Sequence, residues 1–142
     1  MPELSILAVF VYGTLKRGQC REQMWPVPAV TVTEAWVFGM LYGRADYPAL
    51  RQGDDRVGGE LWLFSEQSIK TVIQRLDQIE CSNQKDIPDL YTRETIEAFD
   101  QNGNSLGLCY CYFYAEDPSL DGFERLTPST IQPESIVHWP EK

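Results

Sequence analysis

Glu80 closes the segment Leu76-Asp77-Gln78-Ile79-Glu80, and its phase against the apolar residues before it makes it a candidate general base. Ile69, Val72, Ile73, Leu76 and Ile79 recur at helical spacing, behind Ser65 as an N-cap residue and Glu66 in the first turn. Advancing about 100° per residue from Ile69, these five fall within an arc from roughly 280° to 40°, and Glu80 lands at about 20°, inside it. Asp77 falls at about 80°, on the edge of the stripe. If the helix runs on through Glu80, the carboxylate points inward, where burial disfavours its charge and raises its pKa. A carboxyl titrating close to neutrality suits proton transfer at ordinary pH. If the helix stops at Ile79, Glu80 turns into solvent and carries no chemistry.

The second candidate stretch is Val9-Phe10-Val11-Tyr12-Gly13-Thr14-Leu15-Lys16-Arg17-Gly18. Ile6 to Val11 is rich in β-branched and aromatic residues and reads as a strand. The strand breaks at Gly13, where a backbone can turn tightly or approach a ligand closely. A loop leaving a buried strand in this way can aim several N–H groups at one spot and form an anion nest. An ordinary turn after a first strand accounts for Tyr-Gly-Thr equally well.

These residues need a frame. Ala29 to Tyr42 reads as one long strand or two abutting ones, Arg44 to Asp55 as a loop holding Tyr47-Pro48-Ala49-Leu50, and Val57 to Leu63 as strand again. Tyr91 to Phe99 and Leu106 to Tyr114 alternate as strands around an Asn102-Gly103 turn. The return strand puts Tyr110, Tyr112 and Tyr114 on one face and Cys109, Cys111 and Phe113 on the other. Cys20–Pro28 is irregular, Asp117 to Leu126 has room for one short helix, and the tail with Pro128, Pro133 and Pro140 is largely irregular. One substantial helix among strands predicts an α+β fold with a mixed or antiparallel sheet, and closure into a small barrel would remove its exposed edges.

A chain of 142 residues predicts a single domain over residues 1–142. With 12 basic against 21 acidic side chains its formal charge is −9, which argues against a partner bound through a phosphate backbone. No stretch approaches the roughly 20 apolar residues of a membrane span, and no secretory leader is visible. Cys20, Cys81, Cys109 and Cys111 match no common zinc spacing, and His138 is the only histidine. Reduced thiols in a cytoplasmic protein, with no bound metal, are the expectation.

Taken in order, Val9–Gly18, Tyr47-Pro48-Ala49-Leu50, Gly59-Glu60-Leu61-Trp62, Leu76–Glu80 and Tyr91-Thr92-Arg93 resemble the gamma-glutamylcyclotransferase-like family, from about Phe10 to Tyr114. The branch related to gamma-glutamylamine cyclotransferases is the most similar. The resemblance implies a compact barrel of roughly half a dozen strands with flanking helices. It also implies a small gamma-glutamyl substrate, held by the loop Tyr12, Gly13, Thr14 and Leu15 largely through backbone N–H groups, and Glu80 as general base. The substrate's own α-amine attacks its γ-carbonyl, releasing 5-oxoproline and a free amine, with no cofactor. Family members often carry glycine where Cys81 stands here. Many also place a pocket tyrosine after the last long strand, a place that Tyr114 or Phe123 takes in this chain. Tyr91 and Arg93 read as structural, with Asp77 an acid for Arg93 to pair with. Two other functions fit the same residues: a non-catalytic member binding a small acidic metabolite in the same pocket, and an enzyme shuffling a gamma-glutamyl group on a biosynthetic intermediate. Cys20–Pro28, Arg44–Asp55 and Cys81–Leu90 are the candidate far wall of the pocket. The sequence assigns no oligomeric state.

Overall fold

The computed structural model describes residues 6–82, 88–128 and 135–139. Seven strands and one α-helix follow in the order β1 (Ala8–Val11), β2 (Thr31–Gly43), β3 (Pro48–Leu63), α1 (Glu66–Ile79), β4 (Tyr91–Phe99), β5 (Ser105–Tyr114), β6 (Glu124–Leu126) and β7 (Ile136–Val137). Short 3-10 turns at Glu22–Met24 and Pro118–Asp121 flank them.

Closure comes from pairings distant in sequence. The sheet runs β2-β4-β5-β1-β3, and β3 pairs back onto β2, so five strands form a closed barrel. The joint between β1 and β5 is parallel at Val9↔Tyr110 and the remaining barrel joints are antiparallel, giving the mixed sheet expected. β6 adds to the end of β2 and β7 to the middle of β3.

Strand alternation sorts the side chains into two cores. Phe10, Tyr12, Val37, Leu50, Val57, Cys109, Cys111 and Phe113 fill the barrel. Val9, Val11, Trp62, Phe64, Tyr112 and Tyr114 face outward and form a second core with Val72 and Leu76 of α1. From Cys109 to Tyr114 both faces of β5 are therefore largely covered, the cysteine face inside the barrel and the tyrosine face by the outer core. All four cysteines are free thiols.

Three local readings are corrected by long-range pairing. Arg44–Asp55 is not all loop: β3 begins at Pro48, because Met40↔Arg51 through Gly43↔Pro48 pair it with β2. The polar run from Gln52 to Asp54 that suggested a loop is a bulge, marked by the register shift between Gly39 and Met40. The short helix after Asp117 is a 3-10 turn capped by the Asp117 side chain, and strand β6 follows it. The tail contributes β7 and a buried Trp139, whose indole donates to the Arg44 carbonyl (3.0 Å). Pro133 and Pro140 lie outside the described residues.

Candidate active site

A cavity of about 170 Å³ opens between the end of β1, the end of α1 and the start of β3, and it is lined by Tyr12, Gly13, Thr14 and Leu15 on one side and Glu80 on another. That volume suits a small metabolite and falls below the few hundred Å³ of a typical drug-sized site. Among the described residues lining it, Glu80 is the one carboxylate and Arg21 the one guanidinium.

The loop after β1 is braced so that its donors stay available. The carbonyls of Gly13 and Thr14 accept from Lys16 N (3.1 Å) and Arg21 N (2.8 Å). Arg17 binds Glu60 through its backbone N–H (2.9 Å) and its side chain (3.0 Å), and Gly18 N donates to Glu22 (2.9 Å). The N–H groups of Gly13, Thr14 and Leu15 donate to no protein acceptor among the described residues. Three successive unspent donors on residues that line a cavity can serve as a nest for an anion. Gly13 is required by close packing: a Cβ there would stand 2.6 and 2.7 Å from two ring carbons of Pro48. Gly13→Ala is therefore expected to displace the loop, costing about 1–3 kcal/mol in a denaturant melt and weakening binding of any carboxylate ligand at least tenfold. A variant with unchanged stability and binding would show that the loop yields freely.

On the opposite side, α1 ends as the arithmetic of its stripe requires, through a turn that the sequence pattern did not reveal. The last helical residue is Ile79, yet Glu80 N still donates to the Leu76 carbonyl at 2.8 Å. Cys81 N then bonds the Gln78 carbonyl (3.4 Å) and Ser82 N the Asp77 carbonyl (2.8 Å). This is a Schellman motif with Cys81 at the left-handed position, φ +52°, normally glycine's place. The turn fixes Glu80 as the cap, with its side chain in the cavity rather than in bulk water. Left-handed backbone costs a residue with a Cβ about 1–2 kcal/mol, partly offset in glycine by its larger unfolded-state entropy. Cys81→Gly is thus expected to stabilise the protein by roughly 0.5–1 kcal/mol in a denaturant melt, and a loss of stability would mean that the thiol's packing outweighs the strain.

The electrostatics favour proton exchange at Glu80. Burial pushes its carboxyl up to about 7, and the Arg21 cation acts in the opposite direction. The neighbouring phenols are not rival bases: burial holds Tyr12, Tyr91 and Tyr112 well above their ordinary range. Their hydroxyls are also committed, Tyr12 to the Tyr112 carbonyl, Tyr91 to the Pro48 carbonyl (2.7 Å) and Tyr112 to Asp77 (2.6 Å). Arg93 pairs with the other Asp77 oxygen, as anticipated, so the Asp77 carboxylate holds the last turn of α1 against β4 and β5.

Tyr114 does not reach the cavity. Its ring packs against Tyr91 and Phe123, and its hydroxyl donates to Asp121 at 2.6 Å. The last residue of β5 thus supports the site from behind, and Phe123 lies in the same aromatic layer against Tyr47. Each candidate wall segment contributes: Arg21 from Cys20–Pro28, Tyr47 and Pro48 from Arg44–Asp55, Cys81 and Leu90 from Cys81–Leu90. Residues 83–87 of the last segment are outside the described residues. Tyr112, from the tyrosine face of β5, also lines the cavity. Arg21 was not singled out from sequence, because no local pattern tells which polar residue of an irregular segment folds over a cavity. Among the described residues no cluster of three or more His, Cys, Asp or Glu could hold a metal ion, and no helix is long and apolar enough to cross a membrane.

Comparison with known proteins identifies the family. The family model described as gamma-glutamyl cyclotransferase, AIG2-like, matches residues 9–130. A Vibrio cholerae protein named "Putative gamma-glutamylcyclotransferase" is 31% identical over 113 residues, spanning 79% of this chain and 85% of that protein. Among solved structures, an AIG2-like protein from Mus musculus is similar with a TM-score of 0.59 and 25% identity, over 80% of this chain and 81% of that one. YkqA from Bacillus subtilis is similar in fold, with a TM-score of 0.57 and 22% identity over 78% of this chain. This chain spans only 36% of YkqA.

Proposed function

The chain belongs to the gamma-glutamyl cyclotransferase, AIG2-like family, and from that premise we propose that it is a cytoplasmic, cofactor-independent gamma-glutamyl cyclotransferase acting on a small gamma-glutamyl compound. The observation that carries this reading is one cavity holding three unspent N–H donors, at Gly13, Thr14 and Leu15, together with a carboxyl poised at about 7, at Glu80. The four free thiols suit a reducing compartment.

The α-carboxylate of the glutamyl unit occupies the nest, which leaves its α-ammonium and γ-carbonyl in the cavity with Glu80. An ammonium has no lone pair, so Glu80 first accepts a proton from it. The freed nitrogen attacks the γ-carbon and forms the five-membered ring. The carbonyl's electron pair moves to oxygen, and a loop N–H not engaged by the carboxylate can steady that oxyanion. When the pair returns, the bond to the leaving nitrogen breaks, and Glu80 delivers its proton to the departing amine. The second proton, shed by the ring nitrogen as it becomes an amide, ends on the released amine as its ammonium form. Glu80 ends as it began, and the products are 5-oxoproline and a free amine. Because the nucleophile is tethered to the electrophile, the binding task is to hold the glutamyl chain folded with the reacting atoms close.

The direct test is release of 5-oxoproline from gamma-glutamyl amines, amino acids and peptides by the purified protein. Turnover on at least one is the expected result. No turnover on any, with a melting temperature raised by one of them, would replace the enzyme with a binding protein that uses the same cavity.

A further inference from the structure

Arg21 stands out from the other arginines of the chain. Arg17, Arg44, Arg93 and Arg125 each pair with a carboxylate, Arg51 donates to two backbone carbonyls, Arg56 covers the Trp36 ring and Arg75 reaches Gln78. Among the described residues the Arg21 guanidinium alone has no hydrogen-bond, ion-pair or aromatic partner, and yet it is half-buried in the wall of the cavity that holds Glu80. Its position is not accidental looseness. Arg21 N is bonded to the Thr14 carbonyl at 2.8 Å, and four residues on, the Trp25 ring stacks on Trp62 with centroids 4.3 Å apart. The Trp25 indole donates to the Leu15 carbonyl at 2.9 Å. The segment carrying Arg21 is therefore clamped to the same loop that forms the nest.

A partly desolvated cation with no partner is a cost that an anionic ligand would relieve. The nest already provides donors for one carboxylate, so the cavity has two anion-receiving elements. A gamma-glutamyl compound with an uncharged leaving amine offers only one anion. We propose that Arg21 is a specificity-determining residue that receives a second carboxylate, carried on the leaving amine, so that the preferred substrates are gamma-glutamyl amino acids rather than simple gamma-glutamyl amines. This rests on the cyclotransferase reading above and narrows it. Arg21 lines the same cavity as Glu80, the group that returns a proton to the departing nitrogen, so a carboxylate carried on the leaving side comes within its reach. The planar guanidinium can take a carboxylate through two parallel N–H donors. Neutralising Arg21 would also remove its pull on Glu80, leaving a stronger base in the complex.

A matched pair of substrates isolates the effect: gamma-glutamyl-alanine and gamma-glutamyl-ethylamide differ only by the carboxylate on the leaving side. The wild type is expected to favour the alanine compound in kcat/KM by on the order of ten- to a hundredfold, the range of a charge-assisted hydrogen bond. Arg21→Gln should bring that ratio close to one, and Arg21→Lys should restore part of it. Any general effect of losing the cation, on Glu80 or on the fold, acts on both substrates and cancels in the ratio. A wild-type ratio near one, or a ratio that Arg21→Gln leaves unchanged, overturns the proposal. If the wild type turns over neither compound, the cyclotransferase reading fails, and binding decides on Arg21: the rise in melting temperature with each compound is compared in wild type and Arg21→Gln. A larger rise with the alanine compound that disappears in the variant keeps Arg21 as the carboxylate receptor, and equal rises dismiss it.

Discussion

Glu80→Gln is expected to lower 5-oxoproline release by about 10²–10⁴-fold, the usual contribution of a positioned acid–base group, while making the protein more stable at alkaline pH. Glutamine keeps the shape and hydrogen-bonding capacity of the side chain but cannot take the proton from the α-ammonium. The gain in stability follows from burial. In the folded chain the Glu80 carboxyl is pushed up from 4.5 to about 7, chiefly by desolvation. Below pH 4.5 both folded and unfolded chains hold this proton, and Glu80 leaves stability independent of pH. Between about 4.5 and 7 the unfolded chain has released it and the folded chain has not, so stability falls as pH rises through this window. Above 7 both forms are ionised and the full penalty applies, on the order of 2–3 kcal/mol after allowing for the water that reaches Glu80 through the cavity. Glu80→Gln removes that penalty at pH 8 and changes little at pH 4, a difference of roughly 5–10 °C in melting temperature for a chain of this size. The same ionisation sets the pH profile of the wild type, whose rate should climb through about 7 as the basic form appears. Equal turnover by both proteins would remove Glu80 from the mechanism. Equal stability at pH 8 would mean that the carboxylate is solvated far better than its surroundings imply.

Arg93→Met, although remote from the reacting atoms, is expected to cost roughly 2–3 kcal/mol of stability. Arg93 and the Tyr112 hydroxyl bind the two oxygens of Asp77, and the side chains of Arg93 and Asp77 are only 26% and 12% exposed. Methionine preserves much of the apolar stem and removes the charge, leaving a largely buried carboxylate with one fewer charged partner. Complete burial would cost about 3–5 kcal/mol, and the exposed quarter of Arg93 reduces that. Asp77 lies in the last turn of α1, and its carbonyl also accepts the Ser82 N–H that closes the turn around Glu80. Activity should therefore fall together with stability. The double variant Arg93→Met/Asp77→Asn should recover much of the stability, because it removes the stranded charge. An Arg93→Met variant within 0.5 kcal/mol of wild type in a denaturant melt would place the pair among ordinary surface ion pairs.

The parts legible from sequence are those fixed by neighbours in the chain. The β4–β5 hairpin is set by alternation on both sides of Asn102-Gly103, where Gly103 takes φ +84° and Asp100 accepts from Asn102 N and Asn104 N at 2.9 Å. The stripe of α1 is set by 3.6-residue periodicity, and it placed Glu80 on the apolar side even though the regular helix stops one residue earlier. The first half of β3 was illegible because its polar composition is that of a loop, and only pairing with β2 makes it strand. Tyr114 shares a face with Tyr112, yet its hydroxyl is claimed by Asp121 from the turn beyond, a partner no alternation pattern identifies.

By itself, then, the sequence determined the phase of Glu80 on its helix, the turn-forming loop at Gly13 and the order of motifs that marks the family. Those are properties of short stretches, written in periodicity and in glycine's freedom from a Cβ. Tertiary structure alone decided that the two candidate stretches share one cavity, because barrel closure through β2–β3 and β1–β5 brings the end of β1 to the end of α1. It also decided that a cysteine would hold the left-handed turn beside Glu80 and that Arg21 would line the cavity without a partner among the described residues. Both depend on contacts among segments far apart in the chain, and no local pattern encodes those contacts.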